Sequence, residues 1–242
     1  MRLLVSVRDV DEAAAALAGG ADVIDAKEPA AGALGAVSLE TLHAIARRVD
    51  GRHLFTAALG DAGDERSVVR SARTFVAAGA DLVKIGLAGT SDPDRAMALL
   101  ASAAAAVEGR HVVAVAYADH RQVGSLPPDE VVRVAATLRL RGVLLDTADK
   151  QGPGLRGVMA ASALAGWIDA ARRCGLLVAV AGKLTAGDVA VLSATSADIV
   201  GVRGAACDGG RAGRVSKVRV QQLHGLLAAS AGRTPLIAAS GV

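Results

Sequence analysis

Residues 81–119 read DLVKIGLAGTSDPDRAMALLASAAAAVEGRHVVAVAYAD, and this stretch decides the fold. Its two ends, DLVKIGL (81–87) and HVVAVAYAD (111–119), are short apolar runs rich in β-branched residues, the pattern of buried strands. Between them Asp92-Pro93 offers a helix N-cap followed by a proline at the first helical position, and DRAMALLASAAAAV supplies the helix body. Strand, covering helix and strand in this order make a βαβ unit with parallel strands.

The unit repeats in both directions. LLVSV (3–7), ADVIDAK (21–27) and HLFTAAL (53–59) precede it, and GVLLDTADK (142–150), LLVAVAGK (176–183) and DIVGVRG (198–204) follow. Helix starts are marked by Asp9 or Asp11 before EAAAAL, by Ser38 before LETLHAIARRV and by Pro127-Pro128 before DEVVRVAATL. Glycine-containing steps (GA, AGG, CG) close several helices ahead of the next strand. Eight strands that alternate with helices in a chain of 242 residues predict a (β/α)8 TIM barrel. A doubly wound open sheet would favour a glycine-rich fingerprint after the first strand, and SVRDVDEA has none. No linker divides the chain, so residues 1–230 are read as one barrel domain and residues 231–242 as a flexible tail.

Composition narrows the function. Apolar residues make up 52% and aromatic residues 2%, so the core is built from many small Ala, Val, Leu and Ile contacts. The mean hydropathy is +0.40, but the longest weakly polar run, AMALLASAAAAV (96–107), falls well short of the ~20 residues that span a bilayer. The N-terminus has no signal-peptide pattern, and a cytoplasmic, membrane-free protein is expected. Cys174 and Cys207 lack disulfide or metal-ligand spacing, and no His or carboxylate cluster points to a metal; no cofactor is expected. The formal charge is +3, yet basic residues are scattered among acids and stacking aromatics are scarce, which argues against nucleic acid. The Ala/Val-rich helices suit a homo-oligomer.

Charge choice is informative. Of 27 basic residues only five are lysine, and Lys27, Lys84, Lys150 and Lys183 all fall at the C-terminal ends of strand candidates, where barrels carry their active sites. Lys27, Lys84 and Lys150 come from the second, fourth and sixth strands, which feed the same interior layers. The two-residue period turns Asp25 inward with Lys27, and Asp146 with Lys150. An amine attacks a carbonyl only when neutral, so an imine-forming lysine needs burial or neighbouring cations, a role arginine cannot take. Around strands seven and eight, AGKL and GVRGAAC put Gly182, Lys183, Arg203 and Gly204 where barrels commonly bind phosphate. Asp119 and His120, at the end of the fifth strand beside Tyr117, complete the candidate substrate contacts.

LLVSVRDVDEAAAALAGGADVIDAKEPAAGALGA, VKIGL, VAVAYADHRQVG, LLDTADK and DIVGVRGAAC resemble, in order, the (5-formylfuran-3-yl)methyl phosphate synthase family over residues 1 to 225. That resemblance implies a barrel that condenses two glyceraldehyde 3-phosphate molecules into a phosphorylated furan aldehyde, with loss of phosphate and water, on the route to methanofuran or a related one-carbon carrier. It implies Lys27 as the Schiff-base lysine and Lys84 as proton acceptor, with Asp25, Asp146 and Lys150 in supporting acid–base roles. The lysines alone equally permit a class I aldolase or isomerase on another sugar phosphate. A non-catalytic barrel that binds a phosphometabolite is a third reading.

Overall fold

A computed structural model describes residues 1–231. The expected tail beyond them lies outside the described residues. Eight strands, β1 (Arg2–Val7), β2 (Val23–Ala26), β3 (Leu54–Asp61), β4 (Leu82–Gly86), β5 (Val112–Tyr117), β6 (Gly142–Asp146), β7 (Leu177–Val180) and β8 (Ile199–Val202), pair in sequence order. They close into a barrel through parallel pairing of β1 with β8, with Arg2 opposite Ile199 and Val5 opposite Val202. Helices α1 (Val10–Ala18), α2 (Leu39–Val49), α3 (Glu65–Ala77), α4 (Pro93–Val107), α5 (Pro128–Thr137), α6 (Leu155–Val158), α7 (Ala161–Arg173), α8 (Ala186–Leu192) and α9 (Lys217–Ala231) follow the strands in turn. After β8 the chain also forms a small antiparallel clip, β9 (Cys207–Asp208) and β10 (Arg214–Val215). No helix among the described residues is long and apolar enough to cross a membrane.

The helix starts follow side-chain chemistry. Asp9, rather than Asp11, accepts from the Glu12 N–H; Ser38 and Asp64 cap α2 and α3, and Asp92 with Pro93 opens α4. Along each strand the period of two sends alternate residues to two apolar layers. Leu3, Val5 and Val7 join the larger layer under the helices, whereas Leu4 belongs to the cluster inside the barrel with Val23, Leu82, Val113, Leu144 and Ile199. Towards the C-terminal ends the inward positions shrink to Ala179, Ala181 and Gly201, which line an open space of about 440 Å³. Small residues at one end of the interior keep the barrel from filling there.

Strand limits differ from the sequence reading at the polar ends. The apolar runs 21–27 and 142–150 continue past their strands, since β2 stops at Ala26 and β6 at Asp146. Lys27 is therefore the first residue after β2, and Lys150 stands four residues beyond β6 in a loop. Lys84 is the third of the five residues of β4, inside the barrel rather than at its rim.

Candidate active site

Asp25, on β2, is fully buried. The register sets Ser6 and Thr56 beside it on the adjoining strands, and both hydroxyls donate to its carboxylate, at 2.8 and 2.7 Å. Lys84, inward-facing on β4, adds an ion pair of 2.6 Å to Oδ1. A charge buried this deeply is tolerated because it is paired and hydrogen-bonded. A second pair stands beside it: Lys150 Nζ lies 2.7 Å from Asp146 Oδ1 and also donates to the Thr147 carbonyl. Convergence of Lys150 with Asp146 was expected from strand alternation, but the cause is different. Residues 147–150 leave the strand and turn back, bringing side chains at i and i+4 together.

Lys27 lies on the wall of the same cavity, with its residue only 6% exposed. Unlike Lys84 and Lys150, its amine has no hydrogen bond or ion pair to the described protein; only its backbone N–H is bonded, to the Val7 carbonyl. Burial lowers its pKa from 10.5 to about 7, and the charges of Lys84 and Lys150 push the same way against those of Asp146 and Asp25. For Asp146, burial favours the neutral acid, but the Lys150 and Lys27 charges and the hydrogen bonds from Lys150 and Thr147 outweigh it and hold the carboxyl below its usual range.

Several candidate substrate contacts are engaged elsewhere. Arg203, expected to cradle phosphate, is buried, and all five of its N–H donors meet protein acceptors. Nε donates to the Arg211 carbonyl, Nη1 to the Ser6 carbonyl and Glu12, and Nη2 to Glu12 and the Gly213 carbonyl. No donor remains for a ligand, so Arg203 is a structural clamp between β1, α1 and the clip. Asp119 accepts from the N–H groups of Ala148 and Asp149, both at 2.8 Å, and thereby fixes the loop that carries Lys150. Lys183, in the left-handed region at φ 53°, reaches across to the carbonyls of Gln151 and Gly152 and holds the other end of that loop. His120 does not line the cavity, and its buried Nδ1 has no hydrogen-bond partner among the described residues. Gly182 and Gly204 do lie on the cavity wall. Gly182 has φ 109°, and a Cβ there would come within 3.2 Å of the Thr147 N–H, so the turn requires glycine.

A family model described as 4-HFC-P synthase matches residues 3–224. The chain belongs to that family. Relatives agree: the (5-formylfuran-3-yl)methyl phosphate synthase of Methanothermobacter thermautotrophicus is 37% identical over 94% of this chain and 99% of its own, and that of Methanocaldococcus jannaschii is 38% identical over 93% and 99%. Among solved structures, the 3-hexulose-6-phosphate synthase of Salmonella typhimurium superposes with a TM-score of 0.64 at 18% identity, covering 95% of this chain and all of the other. At that identity the likeness concerns the barrel alone.

For this 4-HFC-P synthase family member the structure adds site residues that sequence reading passed over. Ser6 and Thr56 were legible only through the register with Asp25. Glu12 appeared as one more acid in a helix, although it is buried against Arg203 at 2.8 Å. Arg211, in the segment between β9 and β10, also lines the cavity. No periodicity marks any of the last two.

Proposed function

We propose that this protein condenses two molecules of glyceraldehyde 3-phosphate into (5-formylfuran-3-yl)methyl phosphate through an imine on Lys27, releasing phosphate and water, for the assembly of a methanofuran-type carrier. The observation that carries this reading is the state of Lys27: a buried, unpaired amine with a pKa of about 7, set between two Lys–Asp pairs. The family membership and the names of the relatives supply the product; the cavity supplies a route to it.

Neutral Lys27 attacks the aldehyde carbon, and loss of water gives an imine whose positive nitrogen draws electrons from the neighbouring carbon. The Asp25–Lys84 pair, from β2 and β4, removes the proton at that carbon and so generates the enamine. The enamine attacks the carbonyl of a second triose phosphate. Lys150, oriented by its ion pair with the ionised Asp146, donates protons to the departing hydroxyl and phosphate oxygens. Attack of a hydroxyl closes the ring with loss of water, and hydrolysis of the C=N bond by water leaves the formyl group and frees the Lys27 amine.

The test is intact mass after incubation with glyceraldehyde 3-phosphate and borohydride, for wild type and Lys27→Arg, alongside ultraviolet detection of a furan product. A wild-type adduct that is missing in the variant, together with the furan absorbance, is the expected outcome. An adduct without the furan would instead assign a simple aldolase or isomerase.

A further inference from the structure

We propose that Arg211 is the side-chain anchor for the phosphate ester of the substrate at this site. The proposal rests on the triose phosphate reading above and adds a residue to it. Six cations other than Lys27 line the cavity, and their partners separate them. Lys84 pairs with Asp25, Lys150 with Asp146, Arg203 with Glu12 and Arg219 with Asp208. Lys183 is exposed and turned onto the Gln151 and Gly152 carbonyls. Arg211 is half-buried and has no carboxylate partner among the described residues.

Its own contacts leave it poised. Nη2 donates to the carbonyls of Pro29, at 3.2 Å, and Gly32, at 2.8 Å, so the side chain spans from the segment after β8 to the loop that follows Lys27. Nε and Nη1 have no partner among the described residues. The backbone is held from behind, since Arg203 Nε donates to the Arg211 carbonyl at 2.9 Å and Arg203 is itself locked to Glu12. Gly204 packs beneath it, where a Cβ would lie 3.5 Å from the Arg211 nitrogen. Burial strips water from this guanidinium, and only the more distant Asp146 attracts its charge; the unbonded N–H groups on Nε and Nη1 are left to donate to phosphate oxygens. The sequence placed the phosphate site at these loops through Arg203; the geometry moves the task to Arg211, which Arg203 holds in position.

The experiment compares borohydride trapping at Lys27 with D-glyceraldehyde 3-phosphate and with unphosphorylated D-glyceraldehyde, in wild type, Arg211→Gln and Arg211→Lys. The preference for the phosphorylated aldehyde should fall by about tenfold to a hundredfold in Arg211→Gln, as expected for the loss of charge-assisted bonds. Arg211→Lys, which keeps the charge but not the guanidinium donors, should fall between, and it guards against misreading a folding defect. A preference unchanged in both variants overturns the proposal. Calorimetric binding of glycerol 3-phosphate and of inorganic phosphate tests the anchor even if wild type forms no imine adduct. Weaker binding of glycerol 3-phosphate in Arg211→Gln supports it, whereas equal binding, or weakening confined to inorganic phosphate, overturns it as a substrate anchor.

Discussion

Replacing Lys27 by methionine should stabilise the protein, and the gain should depend on pH in one direction only. The Lys27 pKa falls from 10.5 to about 7 on folding, chiefly because the amine is buried. In the unfolded chain the amine keeps its proton up to the ordinary lysine range. Between about pH 7 and pH 10.5 the unfolded state therefore binds more protons than the folded state, and wild-type stability rises with pH through that window. At about 1.4 kcal/mol for each pKa unit, Lys27 costs the folded state about 5 kcal/mol below pH 7 and about 2 kcal/mol at pH 9. Methionine keeps the length and removes the penalty. Urea unfolding of wild type and Lys27→Met at pH 6, 7 and 9 should give a stabilisation near the larger figure at pH 6 that shrinks steadily as pH rises. A gain that is flat with pH, or a loss of stability, would refute the assignment of Lys27 as an amine held neutral by the fold. The same substitution abolishes the imine adduct, so one variant separates the stability penalty from the chemistry it makes possible.

Asp25→Asn leaves Lys84 buried without its counter-charge and should destabilise by about 3–5 kcal/mol in urea unfolding. Arg203→Met and Glu12→Gln should each cost a similar amount for the same reason, while the double variant costs clearly less than their sum; additive losses would mean the pair is not coupled. Asp119→Ala frees the N–H groups of Ala148 and Asp149 and loosens the loop that carries Lys150. Furan formation should slow by about a hundredfold, as small misplacements of catalytic groups do, while borohydride trapping at Lys27 persists. Lys150→Met removes a repelling charge and frees Asp146 to pair with Lys27, so the pH midpoint of imine trapping should move upward from about 7; an unchanged midpoint would mean that Lys150 does not act on Lys27.

The barrel was readable from the chain because each strand is apolar throughout and each helix carries its own start signal, as with Asp92-Pro93 before α4. Lysine placement was readable too, since residue type and strand parity alone point Asp25, Lys84 and Asp146 inward. What the chain conceals is who partners whom across loops. Asp119 meets the backbone of residues 148–149, and Arg203 meets Glu12 from the far end of the sequence; neither pairing leaves a period or a spacing. A basic residue at the end of β8 therefore looks like a phosphate ligand until its donors are traced. Arg211 was hidden for the same reason, because its side chain acquires meaning only from the carbonyls of Pro29 and Gly32 in the loop after β2.

The balance of amines and carboxylates is the reason we assign the imine to Lys27 and not to a neighbour. Lys27, Lys84 and Lys150 line the cavity with Asp146, and Asp25 is buried against Lys84, so three amines meet two acids and one amine is left over. Lys84 and Lys150 each hold a carboxylate at 2.6–2.7 Å and remain paired. Lys27 is placed one residue beyond β2, where both carboxylates attract it from a distance without bonding it and both other lysines repel it. A third carboxylate within reach would hold Lys27 protonated and inert, whereas removing either existing one would strand a second buried charge. Three amines and two acids give a site that is electrostatically tolerable and still keeps one nucleophile free near neutral pH.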